Sequence, residues 1–267
     1  MNKDQFTAEE ILHGLRGSKD SVALDTPIYR FMSFDALQEM LLAKNIWLVK
    51  TKYWEDTYEN FLFHSDIWAD DIPFDLSVGK ERTFGNCWTM IEESDALWRI
   101  YSPSRSGVRI KTTVRKLVKS IQQQFTKATC YSANIGKVKY MKVDEIVAYF
   151  ENIDGDTFVA EAHWLMRDSM FMKRKEFDHE DEIRIIVRMK GEINDLKEVA
   201  ALQIDPDEIV EEVTFDPRIN DDLYKLFCSK LQANSHDMER VSKSKLYSNE
   251  KLKIRFKNSS PTEFKIV

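Results

Sequence analysis

Along this 267-residue chain the apolar pattern switches between a period of about two and a period of about 3.6 without any regular strand–helix–strand rhythm. Pro27-Ile28-Tyr29-Arg30-Phe31 reads as a strand, and Ser33 then caps a helix to Ala43 with Leu37, Met40 and Leu41 on one face. Asn45 is placed for a left-handed exit into the buried-type strand Ile46–Val49. Further strands are expected at Thr83–Thr89, Gly107–Thr112, Val138–Tyr140, Ile183–Met189 and Ile209–Phe215, with short ones near Val241 and Leu252–Phe256. Helices are expected from Ser94, carrying Leu97, Trp98 and Tyr101, then over Thr113–Phe125, from Asp144, over Thr157–Phe171 and over Asn220–Leu231. At the N-terminus Thr7-Ala8-Glu9-Glu10 has capping-box spacing ahead of Ile11, Leu12 and Leu15, and Gly17 ends that helix. Elements mixed in this way predict an α+β fold rather than a doubly wound sheet. A single domain over residues 1–267, with 1–25 as a helical extension, fits the length.

Composition narrows the chemistry. Eight glycines fall well below the usual share of about 7%, and neither GxxxxGK[ST] nor GxGxxG occurs, which disfavours kinase, P-loop and Rossmann readings. GxSxG and HExxH are also missing. The net charge of −6 argues against general DNA binding, so any nucleic-acid contact needs a local basic patch. Two stretches offer one: Arg99 through Lys119, with Arg105, Arg109, Lys111, Arg115 and Lys116 between, and Lys173-Arg174-Lys175. The usual fate of such runs is a solvated face. Three dispersed cysteines form no CxxC pair, and the five histidines lack metal-ligand spacing. No apolar run approaches the ~18 residues of a membrane span, and the expectation is a soluble cytoplasmic protein.

The most informative stretch is Glu180-Asp181-Glu182-Ile183-Arg184-Ile185-Ile186-Val187. Strand alternation puts Glu180, Glu182 and Arg184 on one face and Ile183, Ile185 and Val187 on the other, which must be core. The charged row is either a solvent-exposed, salt-bridged edge or a site whose carboxylate is tuned by its neighbours. In Tyr29-Arg30-Phe31 the planar donor fork suits phosphate, and the aromatics suit stacking on a ring. Tyr53 to Glu59 reads as a loop entering a helix, where Asp56 and Glu59 suit the dipole.

These pieces occur in one order: Y-R-F, W-E-D-x-x-E, C-W-T, W-x-x-Y with G-V-x-I, and K-x(6)-E-x-E-x-R. Over roughly residues 28 to 245 that order resembles the bacterial domain-of-unknown-function 2971 family. The loop Trp54-Glu55-Asp56-Thr57-Tyr58-Glu59 departs from that family's F-N-D-P-x-E in lacking the Asn and Pro, but keeps both acids. The family in turn looks like a divergent ADP-ribosyltransferase fold of the Arg–Ser–Glu type, a split mixed β-sheet with surrounding helices. The resemblance implies NAD as co-substrate. It places Arg30 on the NAD phosphates, Thr89 as the hydroxyl that orders the site, Glu182 as the catalytic carboxylate and Glu180 as its substrate-side partner. Tyr29, Tyr53 and Trp54 are candidates for stacking on NAD, and Arg109, Lys173 and Arg184 for contacting the acceptor.

Three functions follow as expectations. The first is a mono-ADP-ribosyltransferase acting on a macromolecule, with RNA slightly favoured over protein or DNA. It would be a toxin or phage-defence effector with an antitoxin partner. The second is a non-catalytic nucleotide- or partner-binding module of the same fold. The third is a metal-dependent nuclease using Asp56, Glu59, Glu180 and Glu182 as metal-binding acids.

Overall fold

The computed structural model describes residues 4–15, 21–69, 71–234, 237–248 and 254. The helix end expected at Gly17 lies outside them, as does the strand expected near Leu252–Phe256 apart from Ile254. Ten strands form one mixed sheet: β1 (Leu12–His13), β2 (Pro27–Ser33), β3 (Asn45–Lys50), β4 (Thr83–Thr89), β5 (Gly107–Thr113), β6 (Cys130–Lys137), β7 (Glu182–Met189), β8 (Val199–Gln203), β9 (Glu212–Phe215) and β10 (Val241–Lys243). The main path runs β1-β6-β7-β4-β2-β5-β9-β10, with β3 joining β4 and β8 joining β3. Within this sheet only β1–β6 and β9–β10 pair in parallel and the other pairs are antiparallel, so the α+β expectation holds. No helix among the described residues is long and apolar enough to cross a membrane.

The sheet splits at β4. One edge of β4 pairs with β7 along its whole length, from Thr89 opposite Glu182 to Thr83 opposite Arg188. The other edge is shared: β3 pairs only at Gly85 and Phe84, and β2 only at Thr89. Asn86, Cys87 and Trp88 thus have no partner strand on that edge among the described residues. A cleft opens where β2 and β3 part.

Two apolar layers hold this arrangement. Ile183, Ile185 and Val187 join Ile28, Phe84, Trp88 and Ile110 in the main core, closed by Leu117 and Ile121 of the helix Val114–Gln124. The opposite face of β7 is buried as well, beneath Trp54, Phe61, Phe63, Met166, Met170 and Phe171. Glu182 and Arg184 are 6% and 0% exposed, so they are interior groups and not a solvated edge.

Local differences from the sequence reading have physical causes. The Thr7–Glu10 capping box forms, but the helix stops at Ile11, and Leu12–His13 instead pair in parallel with Ile135–Gly136. Over the described residues 4–15 the N-terminal segment is therefore one helical turn and an edge strand. Lys44, not Asn45, takes the left-handed position (φ 53°). The basic stretch from Arg109 to Lys119 ends β5 and enters the helix. There Arg115 pairs with Asp25, Lys116 with Glu211 and Lys119 with Glu208, which neutralises much of the patch.

Candidate active site

The cleft at the sheet split has a volume of about 400 Å³. Tyr29, Arg30, Tyr53, Trp54, Thr89, Glu180 and Glu182 all line it, though they come from four separate stretches of chain. Asn86, Cys87, Leu97 and Tyr101 are also among its walls. Burial pushes the Cys87 thiol up to about 12, which keeps it protonated and poorly nucleophilic at neutral pH.

The two acids are placed by a tight turn. Glu180 ends a 3-10 helix (Lys175–Glu180), Asp181 takes a left-handed conformation at φ 40°, and Glu182 opens β7. Thr89 secures this turn from the neighbouring strand. Its hydroxyl donates to the Glu180 carbonyl at 2.5 Å and accepts from the Ile91 N–H at 3.0 Å. The Glu182 N–H donates to the Tyr140 hydroxyl at 2.9 Å.

Behind the acids lies a fixed charge cluster. Lys173 Nζ sits 3.0 Å from Glu59 Oε1, 2.5 Å from Glu180 Oε2 and 2.9 Å from Glu182 Oε1. Arg184 donates to Glu182 Oε2 at 2.6 Å, to the Met170 carbonyl at 2.8 Å and to Glu59. Three carboxylates thus meet two cations, and one negative charge lacks a counterion. Burial, together with the adjacent Glu182, pushes Glu180 up to about 7. Burial also opposes ionisation of Glu182, but Arg184 and Lys173 outweigh it and hold that carboxyl well below the usual range. One acid is therefore a fixed anion, while the other titrates near neutrality.

Across the cleft, Arg30 is half-buried and makes no hydrogen bond or ion pair with any described residue. Burial without a neighbouring carboxylate holds its pKa below the ordinary guanidinium value. Such a group is suited to an anion that enters from solution. Tyr29 is held beside it by Arg109, whose guanidinium lies 5.0 Å from the ring centroid and is tied to Glu92, Glu212 and Thr214. Trp54 lies between Arg184, 4.7 Å from its ring centroid, and Gly85. A Cβ at Gly85 would overlap that indole and approach Ile186 Cδ1 to 3.1 Å. Gly85→Ala is therefore expected to displace Trp54 and cost about 1–3 kcal/mol by overpacking. A tryptophan emission spectrum and a melt identical to wild type would refute this. Tyr53 is 54% exposed at the rim, and its hydroxyl donates to Glu198 at 2.5 Å.

The three residues expected to contact an acceptor sit elsewhere. Arg109, Lys173 and Arg184 are 3%, 6% and 0% exposed and have internal partners, so they support the cleft from behind. Asp56 caps the turn Thr57–Phe63 and pairs with Arg174, whereas Glu59 enters the Lys173 cluster. The position a cation would take between Glu59, Glu180 and Glu182 is held by Lys173 Nζ. No group of three His, Cys, Asp or Glu among the described residues is disposed to hold a metal ion. Sequence pattern alone does not reveal Tyr140 or the role of Glu59, because each depends on which distant segment packs under β7.

Residues 97–185 match the family model described as protein of unknown function (DUF2971). That span contains Trp98, Tyr101, Gly107–Ile110 and the Lys173–Arg184 motif, while the Tyr29-Arg30-Phe31 and Cys87-Trp88-Thr89 pieces precede it. Among solved structures the chain is similar to DarT of Thermus sp. 2.9. The complex with NAD+ is 12% identical at a TM-score of 0.37, covering 84% of this chain and 97% of that chain. The complex with ADP-ribosylated ssDNA is 11% identical at a TM-score of 0.37, covering 83% and 95%. No curated protein matches the chain.

Proposed function

We propose that the cleft binds NAD and that the chain is a mono-ADP-ribosyltransferase acting on a macromolecule. The observation that carries this reading is the pairing in one cleft of Arg30, a guanidinium without a partner among the described residues, with the fixed anion Glu182 and the titrating Glu180. Arg30 would bind the pyrophosphate through its donor fork. Tyr29 and Trp54 offer rings held by Arg109 and Arg184 for stacking. Breaking the nicotinamide–ribose bond develops oxocarbenium-like charge on the ribose, as in glycoside hydrolysis. Glu182, ionised throughout the neutral range, would stabilise that charge. As the acceptor oxygen or nitrogen bonds to the ribose carbon, its proton passes to Glu180 and nicotinamide leaves with the bonding pair.

The test is transfer from labelled NAD to separate pools of RNA, DNA and protein. Label in one pool supports the transferase and names the acceptor class. NAD binding without turnover in any pool would move the reading to the binding module. The preference for RNA, the toxin or defence role and the antitoxin partner rest on the family resemblance alone. RNA is the first pool to examine, and growth arrest on expression in a bacterial host reads the toxin role.

The pH dependence has a definite sign. If Glu180 accepts the proton, kcat/KM rises with pH through about 7 as that carboxyl ionises. Its contribution to stability runs the other way, being full below the usual carboxylate range and lost as pH rises through about 7. Glu180→Gln is expected to abolish the activity limb near neutrality. A limb that survives in this variant would remove Glu180 from the proton-accepting role.

A further inference from the structure

A second cavity, of about 620 Å³, lies at the far end of the strand that carries the acids. Arg188 sits on the same face of β7 as Glu182, six residues along, so the two are about 20 Å apart. Met166 and Ile186 pack between them in the second apolar layer. The walls come from β6, the end of β7, the helix Gly155–Ser169 and the N-terminal turn.

Arg188 is 7% exposed and has no carboxylate partner among the described residues. It donates from Nη1 to the His163 carbonyl at 3.3 Å and from Nη2 to Met166 Sδ at 3.8 Å, while its buried Nε has no hydrogen-bond partner. Four more residues lining the cavity carry buried polar atoms without a hydrogen bond: His13 Nε2, Ser132 Oγ, Asn134 Oδ1 and Arg167 Nε. Burial pushes His13 down to about 3, so it is neutral, and its 3.5 Å approach to Asp168 is not an ion pair at neutral pH. Buried polar groups are satisfied in the great majority of cases, and five such atoms around one cavity mark a place for a polar ligand. Among the charged residues of the lining Glu10 pairs with Lys127 and Arg167 with Asp168, which leaves Arg188 and Lys190 against Glu9, a positive balance that selects an anion.

The mouth adds a second feature. Tyr131 and Trp164 are 56% and 44% exposed. Lys190 lies 5.4 Å from the Tyr131 ring centroid, and the Arg167 guanidinium lies 4.2 Å from that of Trp164. Exposed rings beside cations offer stacking surfaces for a base, and base–aromatic stacking tolerates any base. The volume lies within the range of small-molecule sites.

We propose that this cavity is a binding site for a nucleotide monophosphate, with the phosphate on Arg188 and the base against Tyr131 or Trp164. The site is separate from the cleft and does not depend on the transferase reading. A free nucleotide and the 5′-phosphorylated end of a strand present the same chemistry. Titration calorimetry of the full chain with AMP, UMP, inorganic phosphate, adenosine and a 5′-phosphorylated oligonucleotide tests the proposal. The nucleotides are expected to bind at least about ten-fold more tightly than phosphate or adenosine alone. Oligonucleotide tighter than AMP assigns the strand end, whereas the reverse assigns the free nucleotide. Arg188→Gln is expected to weaken binding by about ten-fold or more. Because Arg188 is buried, Tyr131→Ala at the exposed mouth serves as the second variant, with a several-fold loss expected. The proposal fails if no nucleotide binds at millimolar concentration, or if Tyr131→Ala and a folded Arg188→Gln both bind as wild type does.

Discussion

Glu182→Gln is expected to lower NAD turnover by about 10²–10³-fold, the usual cost of removing one group that stabilises transition-state charge. The substitution keeps the shape of the side chain but removes the negative charge that Arg184 and Lys173 maintain. Turnover falls because the ribose then develops positive charge beside a neutral amide. NAD affinity should change less, since Arg30 and the stacking rings are untouched, so the loss should appear in kcat more than in KM. A melting curve is needed alongside, because the amide nitrogen would face Arg184 or Lys173. Glu180→Gln should cost less at its optimum and mainly reshape the pH profile. Full activity in Glu182→Gln with none in Glu180→Gln would exchange the two roles. Full activity in both would remove the acids from the chemistry.

How far the sequence reveals this site depends on the kind of information each residue carries. Alternation along Glu180–Val187 separates the core face from the charged face, and it does so because one face of β7 is continuously aliphatic. It could not tell an exposed charged face from a buried one. That distinction depends on β6 and β4 flanking β7 and on Trp54 and Phe171 covering it, contacts between segments far apart in the chain. For the same reason Arg109, Lys173 and Arg184 read as cations ready for an acceptor, although each is committed to acids or carbonyls brought in by other segments. The strands Cys130–Lys137 and Val199–Gln203 carried too little signal to be seen. The first alternates only weakly, with Tyr131, Ala133 and Ile135 set against Ser132, Asn134 and Gly136, and the second has apolar residues on both faces, so it shows no alternation at all. The split of the sheet was expected only from the family resemblance, because the register between β2, β3 and β4 is a tertiary property.

Arg184→Met is expected to destabilise the fold by about 3–5 kcal/mol, the cost of removing one partner from a buried ion pair. In a chain of this size that corresponds to a fall in Tm of about 10 °C. Arg184 is fully buried and is bound by Glu182, Glu59 and the Met170 carbonyl. Methionine fills part of the space beneath Trp54 but leaves Glu59, Glu180 and Glu182 to share Lys173. The pH dependence separates this cause from simple loss of packing. In the wild type, the depressed pKa of Glu182 contributes stability that is present above the usual carboxylate range and is lost as pH falls through the folded value. Without Arg184 the depression weakens and that contribution shrinks. The stability gap between wild type and variant should therefore widen as pH rises from about 3 to 7. Denaturant melts at several pH values measure it directly. A gap of the same size at every pH would mean that Arg184 acts as a packing residue, and that Lys173 alone keeps Glu182 ionised in the cleft.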